Sequence, residues 1–260
     1  PTLFILILTQ HDAYNQRKAI RETWGRIARH EPWPGRRLLG EVRLIFLLGA
    51  IDNAPLNKAV QIEASEHRDI VEANFIDSYF NLTLKVLMGI KWVRTHCPKT
   101  KYIMKMDEDS FVDIPRLVNM LMSVSPQNAI FGPYSYSEKV TRPNLYGNSS
   151  KGAVSYEAYS PEWYPPHVKG NFYIMPYPLA VKIMNVSQYF PYMNIEDAYI
   201  TGILAKVFDA RHMEISVDQY DKYPEMDLDH CAFVLERRIA CQKVYPELLY
   251  NFWKRIENTE

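Results

Sequence analysis

Tyr102-Ile-Met-Lys-Met-Asp-Glu-Asp109 is the stretch whose reading decides the fold. Tyr102–Met106 is a mostly apolar run, and Asp107-Glu108-Asp109 ends it abruptly in charge. A strand covered on both faces that breaks into a polar loop gives this pattern. In an open parallel sheet, ligands bind beyond the carboxyl ends of the strands. Asp107 and Asp109, at i and i+2 of an extended segment, point to one side, so one divalent ion reaches both, or one directly and the other through water. Such a hard oxygen-donor site suits Mn²⁺ or Mg²⁺ bridging a diphosphate. With 30 acidic residues in 260, acidic pairs at this spacing also arise by chance, most of them solvated loop charge. Position at a strand end is what singles this one out.

Working outward, the first half alternates strand-like and helix-like segments. Thr2–Thr9, Val42–Leu48 and Ile70–Phe75 read as buried strands, and Ala129–Phe131 as a short one. Gln16–Ile27 carries Ala19, Ile20, Thr23 and Trp24 on one helical stripe, and Leu56–His67 also suits a helix. Asn81–His96 is the clearest helix: Leu82, Val86, Ile90 and Val93 share a face and Pro98 stops it. Pro115 opens another through Met122. This β-α-β-α alternation predicts an α/β fold, a mostly parallel Rossmann-like central sheet with helices on both faces. Gly132–His167 breaks the pattern with Gly, Pro, Ser and Tyr, and a loop region of that length is usually functional. Beyond it, Gly170–Met175 reads as ordered chain, with helices over Leu179–Val186, Glu196–Phe208 and Pro246–Ile256.

Composition narrows the class. Hydrophobic residues make up 47% of the chain and 30 basic residues balance the 30 acidic ones, so one large core is affordable and nucleic-acid binding has no electrostatic footprint. Eighteen Tyr and five Trp suit a sugar-binding surface, although most such rings are ordinary core and surface. The apolar opening Leu3–Leu8 is far short of the roughly 20 residues that cross a bilayer and lacks signal-peptide flanks; any membrane anchor is expected outside this chain. Cys97, Cys231 and Cys241 form no CxxC pair, which argues against a thiolate zinc site and leaves one disulfide of open pairing. Sequons at Asn81, Asn148 and Asn185 lean toward a secretory compartment.

The second acidic pair, Glu196-Asp197, opens a helix. A carboxylate there is stabilised by the helix dipole, so it is either a cap or a general base that deprotonates a hydroxyl. Arg17, Lys18 and Arg21 suit a diphosphate or simply a wet helix face, and Lys85 has the same two readings. Trp24 suits the core better than a sugar platform. Gly170 either admits a ligand close to the backbone or starts a strand. Seven histidines show no H-x-x-x-H spacing, and neither a P-loop nor a G-x-G-x-x-G turn is present.

Taken in order, six blocks resemble the β1,3-galactosyltransferase and β1,3-N-acetylglucosaminyltransferase family, glycosyltransferase family thirty-one, which includes Fringe-like enzymes. Arg17-Lys-Ala-Ile-Arg-Glu-Thr-Trp-Gly25 resembles R-x-x-I-R-x-T-W-G, and Phe46-Leu-Leu-Gly49 resembles F-x-L-G. Glu63 to Lys85, with Asp69, Ile70, Phe75, Asp77, Tyr79 and Asn81-Leu-Thr, is similar to E…D-I…F-x-D-x-Y-x-N-L-T-x-K. Lys105-Met-Asp-Glu-Asp-Ser-Phe-Val112 resembles K-x-D-D-D-x-F-V, Tyr164 to Gly170 resembles Y-P-x-Y-x-x-G, and Asn194 to Gly202 resembles the E-D-V-Y-x-G block.

The resemblance covers nearly the whole chain and implies a GT-A type fold in one catalytic domain, residues 1–131 binding the nucleotide sugar and 132–260 the acceptor. It implies a UDP-sugar donor, galactose or N-acetylglucosamine moved to a glycan on protein or lipid, Mn²⁺ or Mg²⁺, and inversion at the anomeric carbon. It further implies a type II protein of the Golgi membrane with a lumenal catalytic domain; a homo- or hetero-oligomer is compatible with the sequence. Asp107, Glu108 and Asp109 become the nucleotide- and metal-binding triplet, with Asp107 and Asp109 the metal carboxylates. Asp197 becomes the catalytic base, and Arg21, Asp77 and Lys85 serve the donor pocket. Three positions depart from the family pattern. Glu108 replaces Asp, the E-D block carries one extra residue before Gly202 and lacks the Cys that usually follows, and Gln242 stands where a metal-binding His precedes Pro246 by four residues, with His230 as a substitute. Gln242 fits an alternative, a weakly active or inactive homologue that binds glycan or assists another transferase.

Overall fold

The computed structural model describes residues 1–143, 151–215, 220–221 and 238–258. Asn148, His230 and Cys231 lie outside the described residues, so the expectations placed on them do too. Strand β1 (Leu3–Leu8) is buried along its whole length. It pairs in parallel with β2 (Val42–Ala50) on one side and β4 (Tyr102–Asp107) on the other. β3 (Ile70–Ile76) extends the sheet beyond β2, also in parallel. On the other flank β11 (Phe172–Pro176) runs antiparallel to β4. β6 (Ala129–Gly132) and β12 (Arg211–Glu214) follow, giving the order β12-β6-β11-β4-β1-β2-β3. The expected α/β class with a mostly parallel sheet is what forms, with β11 alone reversed among the seven. Because β11 and β12 complete the sheet that β1 to β4 begin, the two halves of the chain share one scaffold.

Side-chain alternation along the strands sends two cores to opposite faces. Leu3, Ile5, Ile7, Met104, Met106 and Ile174 pack against α1 (Tyr14–Glu22), α4 (Ile114–Val124) and α6 (Pro246–Glu257) through Ile20, Leu117 and Phe252. Phe4, Leu6, Leu8, Ile103 and Tyr173 pack against α3 (Leu82–His96) and α5 (Tyr177–Val186) through Val86, Ile90 and Ile183. A further helix, α2 (Ala54–His67), begins two residues before its expected start, because Asn53 caps the Leu56 N–H at 3.1 Å with Pro55 in the first turn.

Two helices differ from expectation. The predicted Gln16–Ile27 helix ends at Glu22 and tightens into a 3₁₀ segment, Trp24–Arg29. Thr23 turns its hydroxyl back to the Ala19 carbonyl at 2.6 Å, a bond known to bend helices, and a Cβ at Gly25 would lie 2.5 Å from the Ile20 carbonyl oxygen. The predicted Glu196–Phe208 helix carries π-helical geometry over Ala198–Leu204.

The Gly132–His167 region is not structureless. β7 (Tyr134–Ser135) pairs with β10 (His167–Val168), and β8 (Glu138–Lys139) with β9 (Trp163–Tyr164). Arg142 gathers the carbonyls of Val154, Ser155, Tyr159, Ser160 and Pro161. A small second sheet joins β5 (Ser110–Val112), β14 (Ala240–Gln242) and β13 (Tyr220–Asp221). Among the described residues no helix is long and apolar enough to cross a membrane.

Candidate active site

At the carboxyl end of β4, Lys105 and Asp107 share the face that carries Ile103, and Lys105 Nζ lies 2.7 Å from Asp107 Oδ1. Register places Lys105 opposite Tyr173 on β11. The strand exit is pinned on both sides: Asp107 N–H donates to the Asn171 carbonyl at 3.0 Å and Glu108 N–H to the Leu8 carbonyl at 3.2 Å. Glu108 turns its carboxylate to the Thr9 hydroxyl, which donates to it, while Gln16 Nε2 donates to the Glu108 carbonyl at 2.8 Å and to the Val244 carbonyl at 3.0 Å. Burial pushes the Glu108 carboxyl up to about 7 against the Thr9 hydrogen bond.

Asp109 accepts the Val244 N–H on its carbonyl at 2.8 Å. Burial, then the charge of Asp107, pushes its carboxyl above the usual range. A carboxylate raised by burial and by a second carboxylate nearby is the environment that a divalent cation relieves. Beside them the Ser110 hydroxyl is buried with no hydrogen-bond partner among the described residues. Pairing of β14 with β5 brings Gln242 opposite Ser110, and Asn171 Nδ2 donates to its Oε1. The donor set of Asp107 and Asp109, with the Gln242 amide nearby, fits a hard cation such as Mn²⁺ or Mg²⁺. No cluster of three or more His, Cys, Asp or Glu is found among the described residues.

Asp197, far away in sequence, arrives at the same place. Its Oδ1 accepts the Ala198 N–H at 2.8 Å and its Oδ2 the Gly170 N–H at 2.9 Å. A Cβ on Gly170 would lie 3.3 Å from Asp197 Oδ2, so only glycine leaves the carboxylate undisturbed. The Gly170 carbonyl in turn accepts from Lys105 Nζ. Glu196 accepts the Tyr173 hydroxyl and stands 3.6 Å from Lys105 Nζ. Burial works against the charge on Lys105, but Asp107 and Glu196 outweigh it and push the ammonium above the usual lysine range. The phenol of Tyr79 is raised first by burial and then by the charges of Asp197 and Asp107, so it stands within the field of both.

The donor-side residues divide. Lys85 is buried on α3 and reaches Asp77 Oδ1 at 2.6 Å and the Thr9 carbonyl at 3.0 Å, while Asp77 Oδ2 accepts the Gly49 N–H at 2.8 Å. Together they brace the carboxyl ends of β1, β2 and β3. Arg21, expected at the donor pocket, is instead committed elsewhere: Nη1 is 2.6 Å from Glu63, and Nε and Nη2 are 2.8 Å from Asp69. Its planar fork matches two carboxylates, and that match holds it in a buried ion-pair cluster. Arg17 reaches the β1 exit, donating to Thr9 Oγ1 at 3.1 Å and to the Gln10 carbonyl while paired with Glu63.

Comparison with known proteins meets this geometry. The family model described as Galactosyltransferase matches residues 15–216. The chain belongs to the galactosyltransferase family. It is 32% identical over 260 residues to beta-1,3-galactosyltransferase 5 of Mus musculus, covering 100% of this chain and 80% of that protein. The Homo sapiens protein of that name is 31% identical over 261 residues, covering 100% and 79%. Beta-1,3-galactosyltransferase 1 of Mus musculus is 32% identical over 255 residues, covering 97% and 73%. Among solved structures, the WbbM bifunctional glycosyltransferase superposes with a TM-score of 0.47 at 12% identity, covering 99% of this chain and 50% of that one. As a galactosyltransferase-family member the chain is an enzyme of glycosyl transfer.

Several site groups of this galactosyltransferase-family chain escape a reading by acidic motif. Lys105 carries a signal nonetheless, since a lysine in a strand buried on both faces needs a nearby anion. Tyr79 stands in the Glu63–Lys85 block, whereas Tyr173 carries no signal, because nothing local separates a site tyrosine from a core one.

Proposed function

We propose that this protein transfers galactose or N-acetylglucosamine from a UDP-sugar to a glycan hydroxyl, forming a β1,3 linkage with inversion. The observation that carries the reading is the convergence of Asp107 and Asp197: Lys105 Nζ binds Asp107 at 2.7 Å and the Gly170 carbonyl, and the Gly170 N–H holds Asp197 at 2.9 Å. A carboxylate that receives a nucleotide's cation and one that receives a proton must stand a sugar apart, and this chain of contacts ties them to one end of the sheet.

Asp107 and Asp109 would hold Mn²⁺ or Mg²⁺, which when bound supplies the positive charge that the departing diphosphate needs. Asp197, fixed by the Ala198 and Gly170 amides, is oriented to take the proton of the attacking hydroxyl. The Lys85–Asp77–Gly49 brace keeps the donor side of the sheet rigid. The paired strands β7 with β10 and β8 with β9 carry acceptor recognition. The family resemblance supports a Golgi setting with a lumenal catalytic domain.

One observation favours a second reading, a glycan-binding homologue of low turnover: Gln242, not an imidazole, pairs with Ser110, the residue after Asp109, and accepts from Asn171 on its oxygen. A UDP-sugar panel with simple galactosides and N-acetylglucosaminides separates the two. UDP release that needs Mn²⁺ or Mg²⁺ and stops with EDTA is the expected result. Turnover untouched by exhaustive chelation removes the metal role, and no turnover of any UDP-sugar leaves the glycan-binding reading.

A further inference from the structure

We propose that Lys105 is a positioning residue of the transfer site, one ammonium that sets the spacing between the cation-binding carboxylate Asp107 and the base Asp197. The inference deepens the function proposed above and rests on it.

The geometry starts from the strand. Lys105 lies two residues before Asp107, so both leave β4 on one face, and its side chain is 2% exposed. An ammonium has three donors and no acceptor. One meets Asp107 Oδ1 at 2.7 Å and one meets the Gly170 carbonyl. The remaining charge faces Glu196 Oε2 at 3.6 Å. Both routes end on the same pair of residues. Gly170 passes the constraint to Asp197 through its own N–H at 2.9 Å, with the carboxylate lying against its α-carbon. Glu196 is the residue before Asp197, and its other oxygen accepts from Tyr173, the cross-strand partner of Lys105. A displacement of the ammonium therefore moves Asp107 and Asp197 relative to one another.

A plainer role would be neutralisation of buried Glu196, whose unpaired charge would be costly. The two roles predict different behaviour when both charges are removed. In Lys105→Met, kcat for transfer falls about 100-fold, the penalty of a misplaced group, while KM for the UDP-sugar is little changed because Asp107 stays free to bind the cation. Lys105→Met/Glu196→Gln removes the buried cation together with its buried anion, so it folds even where the single variant does not. Its kcat stays low, since the Asp107 carboxylate and the Gly170 carbonyl no longer share a donor. A double variant with the kcat of the unaltered chain would overturn the proposal and leave Lys105 a charge-balancing residue, as would a folded Lys105→Met with normal kcat. Transfer by the unaltered chain, with its loss in Asp197→Asn, establishes the underlying reading independently in the same assay. Absence of transfer by the unaltered chain removes that reading and this inference together.

Discussion

Glu196 and Asp197 are adjacent in sequence and differ in surroundings. Asp197 offers both oxygens to backbone amides, whereas Glu196 is buried with one phenol and a lysine that stands nearer to Asp107. Burial pushes the Glu196 carboxyl up to about 7, against the pull of Lys105. An unfolded glutamate titrates near 4.3, so between roughly pH 4.3 and 7 the folded chain binds more protons than the unfolded one. Stability contributed by this group is therefore present below that window and lost as pH rises through it, by roughly 4 kcal/mol at most. Denaturant melts across this range should show Glu196→Gln falling less with pH than the unaltered chain; parallel curves would contradict the assignment. Gln242 is the other residue with a distinct prediction. Gln242→His restores an imidazole beside Asp109, and calorimetric titration with Mn²⁺ should show tighter binding, on the order of tenfold for one added ligand. Unchanged affinity would place position 242 outside the cation's reach.

At the scale of elements, the extra residue in the Glu196–Gly202 block finds its place. A helix given one added residue either rotates everything beyond it by about 100° or widens a turn. Here the turn widens, as π-helix over Ala198–Leu204. Asp197 therefore stays at Gly170 while Gly202 stays against the Pro165–His167 segment, where a Cβ would meet His167 Cβ and Pro165 Cγ at 3.1 Å. Gly202→Ala should cost about 1–3 kcal/mol by overpacking, read as a lower urea midpoint; an unchanged midpoint would mean that this contact yields freely. The π turn was not legible in the sequence, because apolar spacing over a few residues does not separate 3.6 from a wider turn. The 3₁₀ stretch after α1 was hidden similarly, since Thr23 and Gly25 act through a bent backbone and not through periodicity.

For the whole molecule, continuous apolar runs carried the reading of β1, β2 and β4, β4 alone ending in carboxylates, and Leu82, Val86, Ile90 and Val93 carried α3. Those signals are local and strong because a strand buried on both faces tolerates little else. The antiparallel insertion of β11 between β4 and β6 was not legible, although it delivers Tyr173, Asn171 and Gly170 to the site. Strand order depends on contacts across 60 or more residues, such as Lys105 to Gly170, which no short window contains. Arg21 shows the converse: its motif pointed to the donor pocket, while Glu63 and Asp69, carboxylates distant in sequence, hold it in the fold.

The central claim is that Asp197 acts as base in the pocket whose cation carboxylates are Asp107 and Asp109. It is tested most directly by the steady-state transfer rate of Asp197→Asn, with saturating UDP-sugar and Mn²⁺, beside its affinity for UDP. Loss of the general base should lower kcat by about 10²–10⁴-fold with UDP affinity unchanged. Transfer at close to the unaltered rate would contradict the account.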